Sequence, residues 1–138
     1  MKLCTETVTV YNARVNHETR MEEYIPTVLK GVSWHCQNVS RITDSGLKAA
    51  NVFTLRIKET VDTGNKSYTE PEEYRRSQDV SRQWTLQKGD VIVKGETDRL
   101  LTPAKLRELY GSDRVLTVLG VTDNRRTSNA RHWKVVGA

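Results

Sequence analysis

The sequence is poor in the residues and runs by which proteins are assigned to a membrane or secreted class. Only two cysteines and one phenylalanine occur among its 138 residues, and no apolar run approaches the length that spans a bilayer. The first residues also lack the apolar core of a signal peptide. We therefore expect a protein that is soluble and intracellular when it is made, with no membrane partner.

The few thiols and imidazoles give little basis for a metal site. Cys4 and Cys36 form no CxxC unit, and we interpret them as reduced thiols, with a disulfide as the alternative. His17, His35 and His132 lie in separate segments without the spacing of metal ligands. Neither a metal nor a cofactor is expected.

Candidate catalytic groups are equally scarce. Glu22 and Glu23 are adjacent, as are Glu72 and Glu73, so the members of each pair point to different faces of a strand or helix. Acid–base catalysis needs two groups that converge on one substrate. No nucleophile elbow, phosphate-binding loop, dinucleotide fingerprint or zinc-protease motif occurs. The sequence therefore predicts a protein that is not an enzyme.

The sequence does contain a series of short β-rich runs. They predict strands at about residues 7–13, 24–37, 50–58, 91–93, 114–122 and 133–136. The run after Gly89 and Asp90 is the clearest, because a turn signal leads directly into β-branched residues. Polar insertions at residues 60–83 and 96–111 interrupt the series. We expect one mainly β domain over residues 1–138, a small antiparallel β-barrel or sandwich with two insertions carrying short helices.

Period-2 spacing in these runs predicts one shared core. In the first strand, Val8 and Val10 are expected on the buried face and Tyr11 on the other. In the second, Val28 and Val32 are expected on one face, opposite Leu29. The predicted core consists of Val32, Trp34, Phe53, Leu55, Ile57, Val91, Val93, Val118 and Val121.

Each insertion carries the signal of a short helix. The capping-box pattern that starts at Thr69 predicts a helix over about residues 70–77. Thr102 as N-cap, Pro103 at the first helical position and Gly111 as the stop predict a second helix, placed as a lid on the barrel. The rest of the first insertion is polar, and we expect it to be mobile until neighbouring chains order it.

Two groups of residues are candidates for partner contact. In the first insertion they are the residue types that interfaces favour, Tyr68, Tyr74, Arg75, Arg76 and Arg82. Near the end they form a basic turn, Arg125, Arg126 and Arg131. Two interpretations of the basic turn are open. It docks on an acidic protein surface or on phosphate, or it is a solvated turn without a binding role. Trp84 and Trp133 beside basic residues are suited either to stacking on single-stranded bases or to core packing.

The order of these elements resembles the head-closure, or stopper, proteins of the head–tail connectors of tailed bacteriophages. The similarity covers the strand at residues 8–11, the Trp34 strand, the strand at residues 53–58, the Gly-Asp turn and strand at residues 88–93, and the final hairpin with Trp133. The sequence is also similar to uncharacterised structural proteins of prophages from Gram-positive bacteria. Residues 60–83 and 96–111 are longer than the compact pattern of the family requires.

The resemblance implies a virion protein that is assembled in the host cytoplasm and located at the head–tail interface. It implies a ring, often a hexamer, with a portal or adaptor protein on one side and a tail terminator or tail tube protein on the other. A long loop would close the DNA channel and contact packaged DNA. The alternatives are a small-barrel, OB-like nucleic-acid-binding protein, or another virion role such as tail completion or a minor capsid protein.

Overall fold

The computed structural model describes residues 5–43, 46–97, 99, 102–111, 113–126 and 131–138, with the backbone alone for residues 38–43 and 46–50. It confirms the predicted mainly β fold with two short helices. The strands are β1 (Glu6–Val15), β2 (Glu22–Thr43), β3 (Gly46–Asp62), β4 (Ser67–Tyr68), β5 (Gln83–Trp84), β6 (Val91–Lys94), β7 (Val115–Asp123) and β8 (His132–Gly137). The helices are α1 (Pro71–Arg76) and α2 (Pro103–Tyr110).

Six of the strands close into an antiparallel barrel in the order β1-β2-β3-β8-β7-β6. Strands β4 and β5 form a separate parallel pair of two residues each. Closure of the barrel pairs both edges of the sheet that would otherwise be open, which removes the usual route to edge-to-edge aggregation for the barrel wall.

The barrel wall is buried on both faces along β1, so the predicted single core is in fact two clusters. Val8 and Val10 face the interior, where they pack in the same cluster as Leu55. On the outer face, Tyr11 packs with Leu106 of α2. Other members of this outer cluster are Val91, Val93 and Val115, so the prediction that Val91 and Val93 share the interior core is wrong.

The other predicted core residues lie where the period-2 pattern places them, with two exceptions. Val32, Phe53, Leu55, Ile57 and Val118 are fully buried in the interior cluster. Trp34 and Val121 are only partly buried and pack against its margin.

A β-bulge at Gly31 breaks the alternation of β2. Gly31 has a φ of +95°, and the register between β2 and β3 shifts between Lys30 and Val32. Glycine adopts this left-handed backbone without a steric penalty. The bulge changes which side chains face inward, so Leu29 and Val32 are both fully buried. The expectation that Leu29 and Val32 lie on opposite faces is therefore wrong, since both pack in the interior cluster.

Beyond the barrel, β2 and β3 continue as a two-stranded arm, formed by residues 37–43 and 46–52. Strand β1 pairs with β2 only as far as Val32, and β8 pairs with β3 only from Phe53 onward. Within the described residues, the two halves of the arm pair only with each other. Seven residues of extended chain make the arm about 23 Å long. The predicted turn residues Asp44 and Ser45 lie outside the described residues.

Residues 63–86 form a plug that closes the opposite end of the barrel. Trp84 and Leu86 belong to the interior cluster, and Tyr74 and Val80 are buried. Lys66 Nζ donates to the carbonyl oxygen of Pro26 (3.0 Å) and to Thr27 Oγ1 (2.9 Å). Residues 60–83, predicted to be a mobile loop, are held against the barrel at two points in the described structure, since Tyr74 and Val80 are buried.

The two helices differ in how well the sequence predicts them. Helix α2 begins as predicted, because Thr102 Oγ1 accepts a hydrogen bond from the Lys105 backbone N–H and Gly111 ends the helix. Helix α1 begins one residue later than the capping box predicts: Glu70 is the N-cap and makes no side-chain capping bond. Helix α2 also covers the outer face of the wall at β1, β6 and β7 rather than an open end of the barrel, so it is not a lid.

A buried carboxylate ties the plug to the barrel wall. Asp90 Oδ2 accepts from Asn12 Nδ2 (2.7 Å), and Asp90 Oδ1 accepts from the Ala13 backbone N–H (3.0 Å) and Gln87 Nε2 (3.1 Å). Asn12 Nδ2 also donates to the Thr85 carbonyl (2.6 Å). Burial raises the pKa of Asp90 to about 6, although these hydrogen bonds oppose the shift.

Truncation of Leu55 tests the interior core. Leu55→Ala should lower the free energy of unfolding by about 2–5 kcal/mol, because the fully buried side chain leaves a cavity. Leu119→Ala is the matched control, because Leu119 is 52% exposed and should change stability by less than about 0.5 kcal/mol. Urea denaturation of both variants measures the difference. Equal losses would exclude Leu55 from the core.

The pH dependence of stability tests the buried carboxylate. Because the pKa of Asp90 is raised in the folded state, the folded protein binds more protons than the unfolded chain between about pH 4 and pH 6. Stability from this group is therefore lost as pH rises through that range, by on the order of 3 kcal/mol. Unfolding curves of wild type and Asp90→Asn should diverge across this interval. Parallel curves would contradict the assignment.

Candidate interaction surfaces

The candidate residues of the first insertion and of the basic turn lie at the plug end of the barrel. One residue of each group, Tyr68 and Arg125, belongs to the same cluster of side chains. The rings of Tyr68, Trp84 and Trp133 pack with centroid separations of 4.5–5.3 Å. The Arg125 guanidinium carbon lies 4.9 Å from the Tyr68 ring centroid and 4.8 Å from that of Trp133. The plug and the β7–β8 turn are therefore joined by an arginine that contacts two rings.

The same guanidinium is bound by two carboxylates. Arg125 Nε and Nη2 donate to the two carboxylate oxygens of Asp123, at 2.9 and 2.7 Å, and Nη2 also donates to Glu70 Oε1 at 3.1 Å. The hydrogen bonds from Arg125 lower the pKa of Asp123, while Asp123 raises the pKa of Arg125. Bidentate bonding with ring stacking is the geometry that arginine, and not lysine, provides.

These contacts change the interpretation of the candidate residues. Arg125 is bound within its own chain, so its predicted role in partner contact is replaced by a structural one. Tyr74 is fully buried, and burial raises the pKa of its hydroxyl, so its prediction as an exposed aromatic anchor is wrong. Tyr68 is half-buried in the ring cluster.

The remaining candidates are exposed cations. Arg75, Arg76 and Arg82 lie on the outer surface of the plug, where Arg76 pairs with Glu72 at 3.2 Å. Arg126 and Arg131 are exposed on the β7–β8 turn, and residues 127–130 between them lie outside the described residues. In the described part of the basic turn, Arg126 and Arg131 are thus exposed, whereas Arg125 is bound to Asp123 and Glu70.

Both tryptophans proposed for base stacking are in the core. Trp84 is 1% exposed and Trp133 is 2% exposed, and both belong to the interior cluster. Stacking on single-stranded bases requires an accessible ring face. Core packing, the alternative weighed for these residues, is what the structure shows.

The arm is a structural feature that the sequence analysis missed and a candidate interaction surface. A two-stranded ribbon presents unpaired backbone N–H and C=O groups along both outer edges, which makes it a template for pairing with another strand. Asn38, Ser40, Ala49 and Ala50 belong to the arm, and these residue types are uncommon in strands. The only sequence signal for the extension was the Asp-Ser-Gly turn between two β-rich runs.

The described part of the chain has one free thiol and no metal-ligand cluster. No group of three or more histidine, cysteine, aspartate or glutamate side chains is arranged there to hold a metal ion. Cys36 is exposed as a free thiol, while Cys4 lies outside the described residues. Neither described helix is long and apolar enough to cross a membrane.

The structure defines a closed, six-stranded antiparallel β-barrel with a plug at one end and an arm at the other. Residues 3–138 match the model of a family of unknown function, DUF6751. The chain therefore belongs to that family. Searches of curated proteins and of solved structures returned no match.

Replacement of Arg125 by lysine tests the cluster that joins the plug to the β7–β8 turn. Arg125→Lys keeps the charge but loses the bidentate pair with Asp123 and the planar contact with the rings, so stability should fall by about 1–2 kcal/mol. Hydrogen exchange at the β4–β5 amides should accelerate as well. Arg126→Lys, at the exposed neighbouring position, is the control and should change neither quantity. Identical behaviour of the two variants would show that Arg125 does not hold the plug.

Proposed function

We propose that the protein is a structural component of the head–tail connector of a tailed bacteriophage, where it forms a ring in the head-closure position. The observation that carries the proposal is the arm, a two-stranded extension about 23 Å long at one end of an otherwise closed barrel. The strand order and turn chemistry that resemble the stopper family support the same class.

The arm supports assembly because its two strands, as far as the described residues go, form ladders only with each other. Natural proteins shorten, cover or charge an edge strand unless another chain pairs with it. Here the barrel wall is closed, and the arm alone extends past the strands that could cover it within the described residues. Addition of the arm to a neighbouring subunit joins copies through main-chain hydrogen bonds. Repetition of one such contact with rotation closes a ring.

The arm also replaces residues 60–83 as the segment that reaches other chains. The plug is held by the buried Asp90 network and by the Arg125 cluster, so it is not a long loop extending into a channel. In the proposed ring, the arms contact adjacent subunits or line the DNA channel. The portal or adaptor protein and the tail terminator or tail tube protein are the expected neighbours above and below.

The nucleic-acid-binding alternative has less support, because its stacking residues are buried. It predicts a monomer that binds oligonucleotides with a strong dependence on salt concentration. Roles in tail completion or as a minor capsid protein would also use contacts between subunits. They differ from the connector role in which proteins are the neighbours.

Electron microscopy of the purified protein tests the proposal. We expect a monomer or weak oligomer in dilute solution, and rings at high concentration or on addition of the portal protein from the same genome. Binding of a portal or tail protein supports the connector role. A protein that stays monomeric in all these conditions and binds oligonucleotides would contradict it.

Removal of the arm tests the observation that carries the proposal. Residues 37–52 can be replaced by Asn-Gly, because Cys36 and Phe53 are cross-strand partners and this dipeptide favours a two-residue hairpin turn. The barrel should stay folded, with a melting temperature within a few degrees of wild type. Ring formation should be lost, as measured by mass photometry and electron microscopy.

The control for this deletion keeps the arm and changes the other end of the molecule. Arg75→Ala alters an exposed cation of the plug and should leave ring formation intact. Rings that persist without the arm would show that another surface joins the subunits.

A further inference from the structure

The outer face of the barrel carries three cations on two neighbouring strands. Arg56 and Lys58 belong to β3, and Lys134 belongs to β8. Their neighbours Leu55 and Trp133 pack in the interior cluster, so the alternation of a strand directs these three side chains away from the core. Arg56 is exposed, and the two lysines are partly exposed. We call these three residues the basic face.

The strand register places two of these cations directly opposite each other. Arg56 pairs with Lys134 between β3 and β8, and Lys58 lies two residues further along β3. Like charges at opposed positions of a sheet are destabilising. Within the described residues, none of the three side chains makes an ion pair. An anion from outside the chain would therefore relieve the repulsion.

The strand segments around the basic face have no acidic residue. Residues 33–43 and 46–58 contain no carboxylate, and neither does β8. Glu59 directly follows the basic face and forms no ion pair with it in the described structure. The arm continues this composition, because its sequence includes Arg41 and Lys48. A surface of this kind attracts an anionic partner.

The neighbouring strands add hydroxyl groups to the same row. Ser33 of β2 pairs with Arg56, and Thr122 of β7 pairs with Lys134. Arginine, lysine, serine and threonine are side chains that contact phosphate oxygens in protein–DNA complexes. Protein interfaces are instead anchored by aromatic and large apolar side chains, and these four residues include none. The row therefore suits a phosphate backbone better than an acidic protein surface.

The burial of the tryptophans indicates which form of nucleic acid fits. Proteins that bind single strands stack the bases on accessible aromatic rings. Trp84 and Trp133 belong to the interior cluster, and Trp34 packs against its margin. A duplex keeps its bases stacked inside and presents its phosphates on the outside, so it requires no such ring.

We propose that the basic face binds the phosphate backbone of duplex DNA without reading its sequence. The row from β2 across β3 and β8 to β7 is about 15 Å wide, since neighbouring strands lie about 5 Å apart. The inference rests on the proposed ring for the identity of the DNA, which in a connector is the packaged genome in the channel. It differs from the OB-like alternative because it requires neither base stacking nor a monomer.

Salt-dependent binding tests the basic face. Fluorescence anisotropy should show equal affinity of the full chain for two short duplexes of unrelated sequence, falling steeply with salt concentration. Arg56→Gln with Lys134→Gln should weaken both by about tenfold or more and lower the slope of log K against log salt by about two. Arg75→Gln with Arg82→Gln removes the same charge from the plug surface and should keep the wild-type slope.

Three further results decide the assignment. Equal weakening by both pairs of changes would show that net charge governs binding and would overturn it. Polyglutamate that binds as tightly as duplex DNA would overturn it in favour of an acidic protein surface. The Arg56 and Lys134 variant should melt no lower than wild type, because the opposed charges are gone. Lys58→Gln, outside that pair, should lower the slope by about one, which tests the face independently.

Mass photometry of the same chains separates this inference from the proposed function. The variant of Arg56 and Lys134 should form rings like wild type, and loss of its rings would place these residues between subunits and overturn the assignment. Wild-type rings that do not bind duplex DNA would overturn the basic face and leave the ring. Duplex binding that depends on the basic face, in a chain that never forms rings, would uphold the face and overturn the ring.

Discussion

The buried carboxylate of Asp90 is the constraint on which the plug end depends. It lies at the start of β6 and accepts hydrogen bonds from β1 and from the last part of the connection that leaves the plug. A charge with no exposure to solvent requires such partners, because an unsatisfied buried carboxylate is far more costly than a neutral group. The donors cannot move apart without exposing or orphaning the carboxylate. The end of the plug is therefore held against β1, since Asn12 binds both Asp90 and the backbone of Thr85.

The two ends of the barrel differ in which groups form their hydrogen bonds. At the plug end, side chains bond to one another through the Asp90 network and through the pairing of Arg125 with Asp123 and Glu70. At the arm end, the backbone of residues 37–52 pairs only within the hairpin, as far as the described residues extend. The described part of the barrel is thus packed by side chains at one end, while at the other two strands extend past the wall.

The sequence predicted the elements better than their arrangement. Alternation and turn chemistry identified the barrel strands and the Thr102 start of α2, since both depend on neighbouring residues. The bulge at Gly31 and the burial of both faces of β1 could not be predicted in this way, because each depends on residues distant in the sequence. The plug was mistaken for a mobile loop for the same reason. Its composition is polar, yet Tyr74 and Trp84 find buried positions against the barrel.

Arg125 and Arg126 show why a charged segment cannot be assigned a role from its sequence. They are adjacent and chemically identical, but Arg125 is bound by Asp123 and Glu70 and lies against two rings, whereas Arg126 is exposed. Glu70 is far away in the sequence, so no local pattern could separate the two. Arg125 is held by contacts within the chain, whereas the Arg126 side chain stays exposed. Two consecutive arginines thus occupy a structural and a surface position, and only the residues that the fold brings next to each of them decide which.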